Sequence, residues 1–154
     1  MSRSLPLLIV VFVLFGSLAH GQTPAALASL QGRWVVTGAE HDGKPFDAIK
    51  GGVMTIAGDG FEIRTASGNM LKGTLKPDPS KQPSQLDMVH ADGERWEAIY
   101  AVDGDTFRLN YVQGGGKDPR PTTFATSNTT EATVITLRRE SAGRGGPSGP
   151  PASK

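Results

Sequence analysis

The sequence predicts an all-β fold, an antiparallel β-barrel of about eight strands. Three observations lead there. Between Gly32 and Arg139, short runs of alternating apolar and polar residues recur at a steady spacing. Turn residues punctuate them: Asp42-Gly43, Gly51-Gly52, Gly58-Asp59-Gly60, Ser67-Gly68-Asn69, Pro77-Asp78-Pro79, Asp92-Gly93, Asp103-Gly104-Asp105 and Gly114-Gly115-Gly116. Each run keeps its apolar residues on one face, the pattern of antiparallel strands with one buried and one wet side. Closure into a barrel then removes the exposed edges that an open sheet would leave.

The chain opens outside this pattern. Met1 to Ser4 carry one charge, Arg3. Leu5 to Phe15 is unbroken apolar, and Ala19-His20-Gly21 places small residues where a signal peptidase reads them. Residues 1–21 therefore read as a secretory signal peptide, cut between Gly21 and Gln22. The apolar stretch is short of the roughly 20 residues of a spanning helix. Without a cysteine there is no lipoprotein attachment point. The expectation is an exported protein, periplasmic or extracellular, with no stable membrane span in its mature form. Export permits disulfides, but an apolar core alone must hold this chain. Residues 22–140, roughly 120 of them, suffice for that. Removing residues 1–21 takes away Arg3 and no acid, leaving 15 basic against 15 acidic residues. That balance gives no pull toward nucleic acid or anionic lipid.

Ala25 to Leu30 reads as one or two helical turns across one end of the domain. Arg33 to Thr37 is the first strand. Val53–Ala57 and Phe61–Thr65 flank a tight hairpin at Gly58-Asp59-Gly60, where glycine supplies positive φ. Met70–Lys76 follows, with Leu71, Gly73 and Leu75 on one face and Lys72, Thr74 and Lys76 on the other. Pro77-Asp78-Pro79-Ser80 is expected to stop it, because proline cannot donate to a ladder. Leu86, Met88 and His90 share a face of the fifth strand, and Trp96, Ala98, Tyr100 and Val102 a face of the sixth. Phe107, Leu109 and Tyr111 point inward from the seventh, with Arg108 and Asn110 outward. Thr133 to Arg139 is the last strand, with Ile135 and Leu137 inward. Before it, Asp118 to Phe124 has two prolines bracketing Arg120 and reads as an extended segment that plugs Phe124 into the barrel. Residues 141–154 are nearly all Gly, Pro, Ser and Ala and read as a disordered tail.

The first strand opens on Gly32-Arg33-Trp34 and the last ends on Arg138-Arg139. This resembles the lipocalin group, in which a Trp closes the barrel bottom under an Arg of the last strand, a cation–π contact. The resemblance implies Trp34 and Arg139 as the closing pair. A longer series is more specific: Leu30-Gln31-Gly32-Arg33-Trp34, Asp42-Gly43-Lys44-Pro45, Leu75 to Pro83, Tyr100 to Leu109, and Arg120-Pro121-Thr122-Thr123-Phe124. In that order these closely resemble a family of small exported domains of planctomycete bacteria, lipocalin-like and of unknown function. The resemblance runs from about Leu30 to Arg139. It implies a lipocalin-like β-barrel in a bacterial exported protein and carries no established site residues. Asn110 departs from the cysteine that many members have on this strand.

An eight-stranded barrel is just wide enough to be filled by side chains or to hold one small ligand. The bulky inward set, Trp34, Phe61, Trp96, Tyr100, Phe107 and Tyr111, favours a mostly filled interior with a small cavity at one end. Phe61, Trp96, Tyr100 and Tyr111 are its expected lining. Chemistry elsewhere is sparse. Glu40-His41-Asp42 holds three adjacent groups that point different ways, whereas a zinc site needs convergent ligands. Asp103-Gly104-Asp105 lacks the spaced acids of a calcium loop and suits a hairpin turn. Gly114-Gly115-Gly116-Lys117 lacks the Ser/Thr and strand-to-helix context of a phosphate loop. There is no Gly-x-Ser-x-Gly elbow and no cysteine nucleophile. Arg120 either clamps an anion at the barrel mouth or pairs with a carboxylate and pins its segment; lone arginines are mostly paired or solvated. No catalytic, cofactor or metal site is expected. Two functions fit: binding of a small apolar ligand in the barrel, or a non-enzymatic interaction or structural module with a filled barrel.

Overall fold

The computed structural model describes residues 25–114 and 118–141. The expected signal peptide, and the expected tail beyond Ser141, lie outside the described residues. A short helix, α1 (Ala25–Leu30), leads into β1 (Gly32–His41), β2 (Lys44–Pro45), β3 (Val53–Ala57), β4 (Gly60–Arg64) and β5 (Met70–Asp78). Then come β6 (Gln85–His90), β7 (Arg95–Asp103), β8 (Thr106–Val112) and β9 (Thr133–Arg139). Each strand pairs antiparallel with its neighbour in the order β2-β1-β3-β4-β5-β6-β7-β8-β9. β9 then returns to β1, from Trp34↔Arg139 to His41↔Thr133. The long strands thus form a closed eight-stranded antiparallel barrel, and β2 is a two-residue appendage of β1.

Local chemistry accounts for these connections. The β1–β2 hairpin turns on Asp42 and Gly43, both left-handed at φ 54° and 70°, the Asp-Gly pairing that suits a two-residue hairpin. β1 serves two partners: it follows β3 as far as Val35, and a bulge between Val36 and Gly38 bends it as it continues along β9. Such bulges add the twist that barrel closure requires.

α1 lies across one end. Leu27 and Leu30 are buried there with Trp34, Ile56, Leu75, Phe107 and Leu137. The Trp34 indole N–H donates to the Leu30 carbonyl at 2.8 Å, and its ring packs on Phe107 at 5.4 Å. The Gln31 side chain bridges to the β3–β4 turn, donating to Gly58 O and accepting from Gly58 N, each at 2.8 Å. The opposite end, where β6 leads to β7 and β8 ends, is the mouth.

Three expectations are corrected. β5 does not stop before Pro77 but continues through it to Asp78. The Leu75 N–H faces the β4 side, donating to Asp59 O. Pro77, two residues on, turns its nitrogen to that same side beyond the end of β4, so no ladder bond is lost. Phe124 does not enter the barrel: its ring lies under Arg108, 4.8 Å from the guanidinium, and Arg108 is an exposed outward residue of β8. Asn110 points outward but is not solvated. It is fully buried, its Nδ2 donating to the carbonyls of Thr123 at 2.7 Å and Ala125 at 3.3 Å.

The last two corrections share one cause. The segment from Asp118 to Ala125 is a strap over the outer wall, covering a row of outward residues in register, Ile99, Asn110 and Val134. Arg120 fastens it. Its Nη1 donates to Ala98 O at 2.7 Å and Leu86 O at 3.2 Å, and its Nη2 to Asp87 at 2.5 Å. Arg120 therefore pairs with a carboxylate and does not stand at the mouth.

Among the described residues, no helix is long and apolar enough to cross a membrane.

Candidate functional site

Four rings form a continuous array along the inner wall, and strand register puts them there. Ala98 stands opposite Tyr111, so Trp96, two residues along, is the diagonal neighbour of Tyr111. The two rings stack with centroids 4.8 Å apart and planes within 4°, an aromatic pair of the kind that adds about 0.5–1.5 kcal/mol beyond its buried area. Met88 stands opposite Trp96, so His90 is the diagonal neighbour on the other side, 4.2 Å from the indole.

Phe61 reaches His90 from two strands away. Gly73 stands opposite both of them, and with no side chain there the Phe61 ring meets the His90 edge at 5.3 Å and 84°. A Cβ on Gly73 would lie 2.8 Å from Phe61 Cε1 and collide with the Val89 carbonyl. Gly73 is thus a packing requirement and not a turn.

Beside this array the barrel holds a cavity of about 270 Å³. Trp96 and Tyr111 line it with Met88, Leu109 and Ile135 from the deeper wall, and Ile63 and Leu71 from β4 and β5. Phe46 and Ile49, from the loop after β2, complete it, with Phe46 36% exposed at the rim. Thr65 and Gln113 join Tyr111 and Trp96 as the lining side chains that carry polar groups.

Of the four residues expected to line a cavity, Trp96 and Tyr111 do so. Phe61 and Tyr100 do not. Phe61 lies behind His90, and Tyr100 lies toward the α1 end, because β7 carries it there two pleats beyond Trp96. Tyr100 borders a wider, open groove of about 670 Å³ with Ser29, Pro83, Gly104 and Arg139. That groove is a weaker candidate, since its one cation is already engaged. Arg139 lies over the Trp34 ring at 4.0 Å and donates to Gln31 O at 2.5 Å and Ser29 O at 3.0 Å. It ties the helix end to the closing strand, and Trp34 beneath it is fully buried.

Burial sets the electrostatics of the array. Desolvation pushes the His90 pKa below its ordinary 6.5, partly opposed by Glu94 and Asp92. It raises the Tyr111 phenol above 10, partly opposed by a hydrogen bond with Thr133. Tyr100 is raised too, by burial and then by the Asp78 charge. Among the described residues, His90 Nε2 and Trp96 Nε1 are buried without a hydrogen-bond partner. His41 instead shares a hydrogen bond of 2.9 Å between its Nδ1 and Thr133 Oγ1. No group of three His, Cys, Asp or Glu residues gathers as metal ligands among the described residues.

Sequence reasoning missed Phe46 and Ile49. Their signal was a pair of large apolar residues three apart in an otherwise polar loop. It also missed His90 as a member of the aromatic array, although its inward position on the strand was legible.

No protein-family model matches the chain, and no curated protein matches it. Among solved structures, the chain is similar to a de novo designed fluorescence-activating β-barrel, with a TM-score of 0.43 and 16% identity. The match covers 75% of this chain and 97% of that one.

Proposed function

We propose that the chain is an exported binding barrel that takes a small, largely apolar ligand into the cavity at its mouth. The observation that carries this reading is the cavity itself, about 270 Å³ with aliphatic and aromatic walls. A water occupies about 30 Å³ of liquid volume, so this space exceeds the few waters of a filled barrel. It lies just below the ~300–1,000 Å³ range of pockets for drug-sized ligands, which suits a molecule of one or two fused rings. Transfer of such a molecule from water to these walls is favoured by the hydrophobic effect. The half-exposed ring of Phe46 gives the entrance an apolar edge. Export is supported by the signal read in residues 1–21 and by the resemblance to exported lipocalin-like domains.

Titration with naphthalene tests the binding. The expected result is a saturable change in tryptophan emission and a rise in Tm. Both are lost in Leu71→Trp, which fills the cavity from a half-buried wall position. No saturable response across a panel of one- and two-ring hydrocarbons sinks the reading. Fractionation of the producing cells with mass spectrometry should find the chain outside the cytoplasm with Gln22 as first residue, whereas a cytoplasmic chain retaining Met1 refutes the export.

A further inference from the structure

Strand alternation carries the inner wall of the cavity up to its rim. On β4, Phe61 and Ile63 face inward, and Thr65 takes the next inward position. On β8, Phe107, Leu109 and Tyr111 face inward, and Gln113 takes the next. Both side chains line the cavity. β4 and β8 stand four strands apart whichever way the closed sheet is followed, so Thr65 and Gln113 lie on opposite sides of the mouth.

Below that rim the wall offers a ligand no open polar group. The Tyr111 phenol is hydrogen-bonded with Thr133, and Trp96 Nε1 is buried within the wall. The other deep side chains, Met88, Leu109 and Ile135 among them, are apolar. At the rim, the Thr65 hydroxyl is engaged in its own turn, with Ser67 Oγ at 2.9 Å and the Asn69 N–H at 3.0 Å. Gln113 differs. Its side chain is exposed, and among the described residues no hydrogen bond engages its amide. Its backbone is nonetheless fixed, because the next residue, Gly114, lies so close to β7 that a Cβ there would collide with the Arg95 carbonyl. The cavity is thus apolar in depth and presents at its mouth a free amide, which both donates and accepts.

We infer that the ligand is an amphiphile, an apolar body with a single hydroxyl or amide at one end, which enters body first and leaves that end at the mouth on the Gln113 amide. The inference rests on the binding reading above and narrows it to a chemical class and an orientation. A polar group carried into the deep wall loses its hydration without gaining a partner. One left at the mouth keeps water or exchanges it for Gln113.

Three probes of one shape test it: naphthalene, 2-naphthol and 2,6-dihydroxynaphthalene, titrated into ¹⁵N,¹³C-labelled protein at neutral pH, where both naphthols are uncharged. 2-Naphthol should bind at least as tightly as naphthalene. The diol must bury one hydroxyl and should bind about tenfold more weakly than 2-naphthol. Nuclear Overhauser contacts from the Leu109 and Ile135 methyls should reach the unsubstituted ring of 2-naphthol, and those from the Gln113 amide the hydroxyl-bearing ring. In Gln113→Leu the affinity for 2-naphthol should fall several-fold while that for naphthalene holds. If 2-naphthol binds tenfold more weakly than naphthalene, if the diol equals 2-naphthol, or if the contacts are reversed, the inference is overturned and the binding reading stands. An unchanged 2-naphthol affinity in Gln113→Leu overturns the role of Gln113. Failure of both naphthalene and 2-naphthol to bind overturns the binding reading and this inference with it. The wild-type comparison needs no variant, so it survives if Gln113→Leu fails to fold.

Discussion

Gly73 shows how one residue without a side chain can organise several with large ones. It sits in mid-strand, where glycine ordinarily weakens a sheet. Here its bare backbone lets Phe61 pass over it to His90, and His90 in turn buttresses Trp96. Gly73→Ala is expected to cost about 3 kcal/mol, at the upper end of overpacking. The new methyl meets the Val89 backbone as well as a ring, and the backbone cannot swing aside. Urea denaturation measures this, and a loss under about 1 kcal/mol would show that the strands re-space freely. The alternation of Leu71, Gly73 and Leu75 made the inward position of Gly73 legible from sequence. The need for glycine was not, because it arises from the residues opposite on β4 and β6.

At the scale of elements, the strands were readable and the strap was not. Period-two alternation names β3 and β9 to the residue, because each strand has one wet face over most of its length. The outer wall of β7 and β8 breaks that rule, since Ile99 and Val112 are buried on the outward side. Apolar residues at outward positions were the available hint of a covering segment. From sequence, the two prolines of an extended segment lead Phe124 into the barrel. The structure places it under Arg108. Arg120 holds the strap through two carbonyls and Asp87, while Asp87 keeps a second partner in Arg95 at 2.7 Å. Arg120→Ala should therefore cost about 1–3 kcal/mol without leaving Asp87 unpaired. Limited proteolysis should show faster cleavage near residues 118–126 while the barrel's circular dichroism persists. Unchanged cleavage would mean that Asn110 and the outer apolar row hold the strap alone.

At the scale of the whole molecule, stability should respond to pH through the buried array. In the fold, His90 binds its proton less tightly than the ordinary imidazole at 6.5, because burial disfavours the charge. Below pH 6.5 the unfolded chain then holds more protons. Stability should fall as pH drops from 6.5 through the lower folded value, and be indifferent to His90 above it. On the alkaline side the sign reverses. Tyr100 and Tyr111 keep their protons longer in the fold, so stability should fall as pH rises past 10. Urea midpoints across pH for wild type and His90→Phe isolate the acid limb, because contributions of other groups cancel in the difference. Parallel curves below pH 6.5 would remove His90 from this account.

The seam has a consequence of its own. β1 meets β9 through pairs as distant in sequence as Trp34 and Arg139, 105 residues apart. As the chain emerges in synthesis, Trp34 and one flank of β1 must wait for the last of the strands. Until then the barrel cannot close, although β3 to β8, each paired with its neighbour in sequence, can already form a sheet. Completion of β9 is thus a natural clock: it dates the moment at which an open sheet with two free edges becomes a barrel with none.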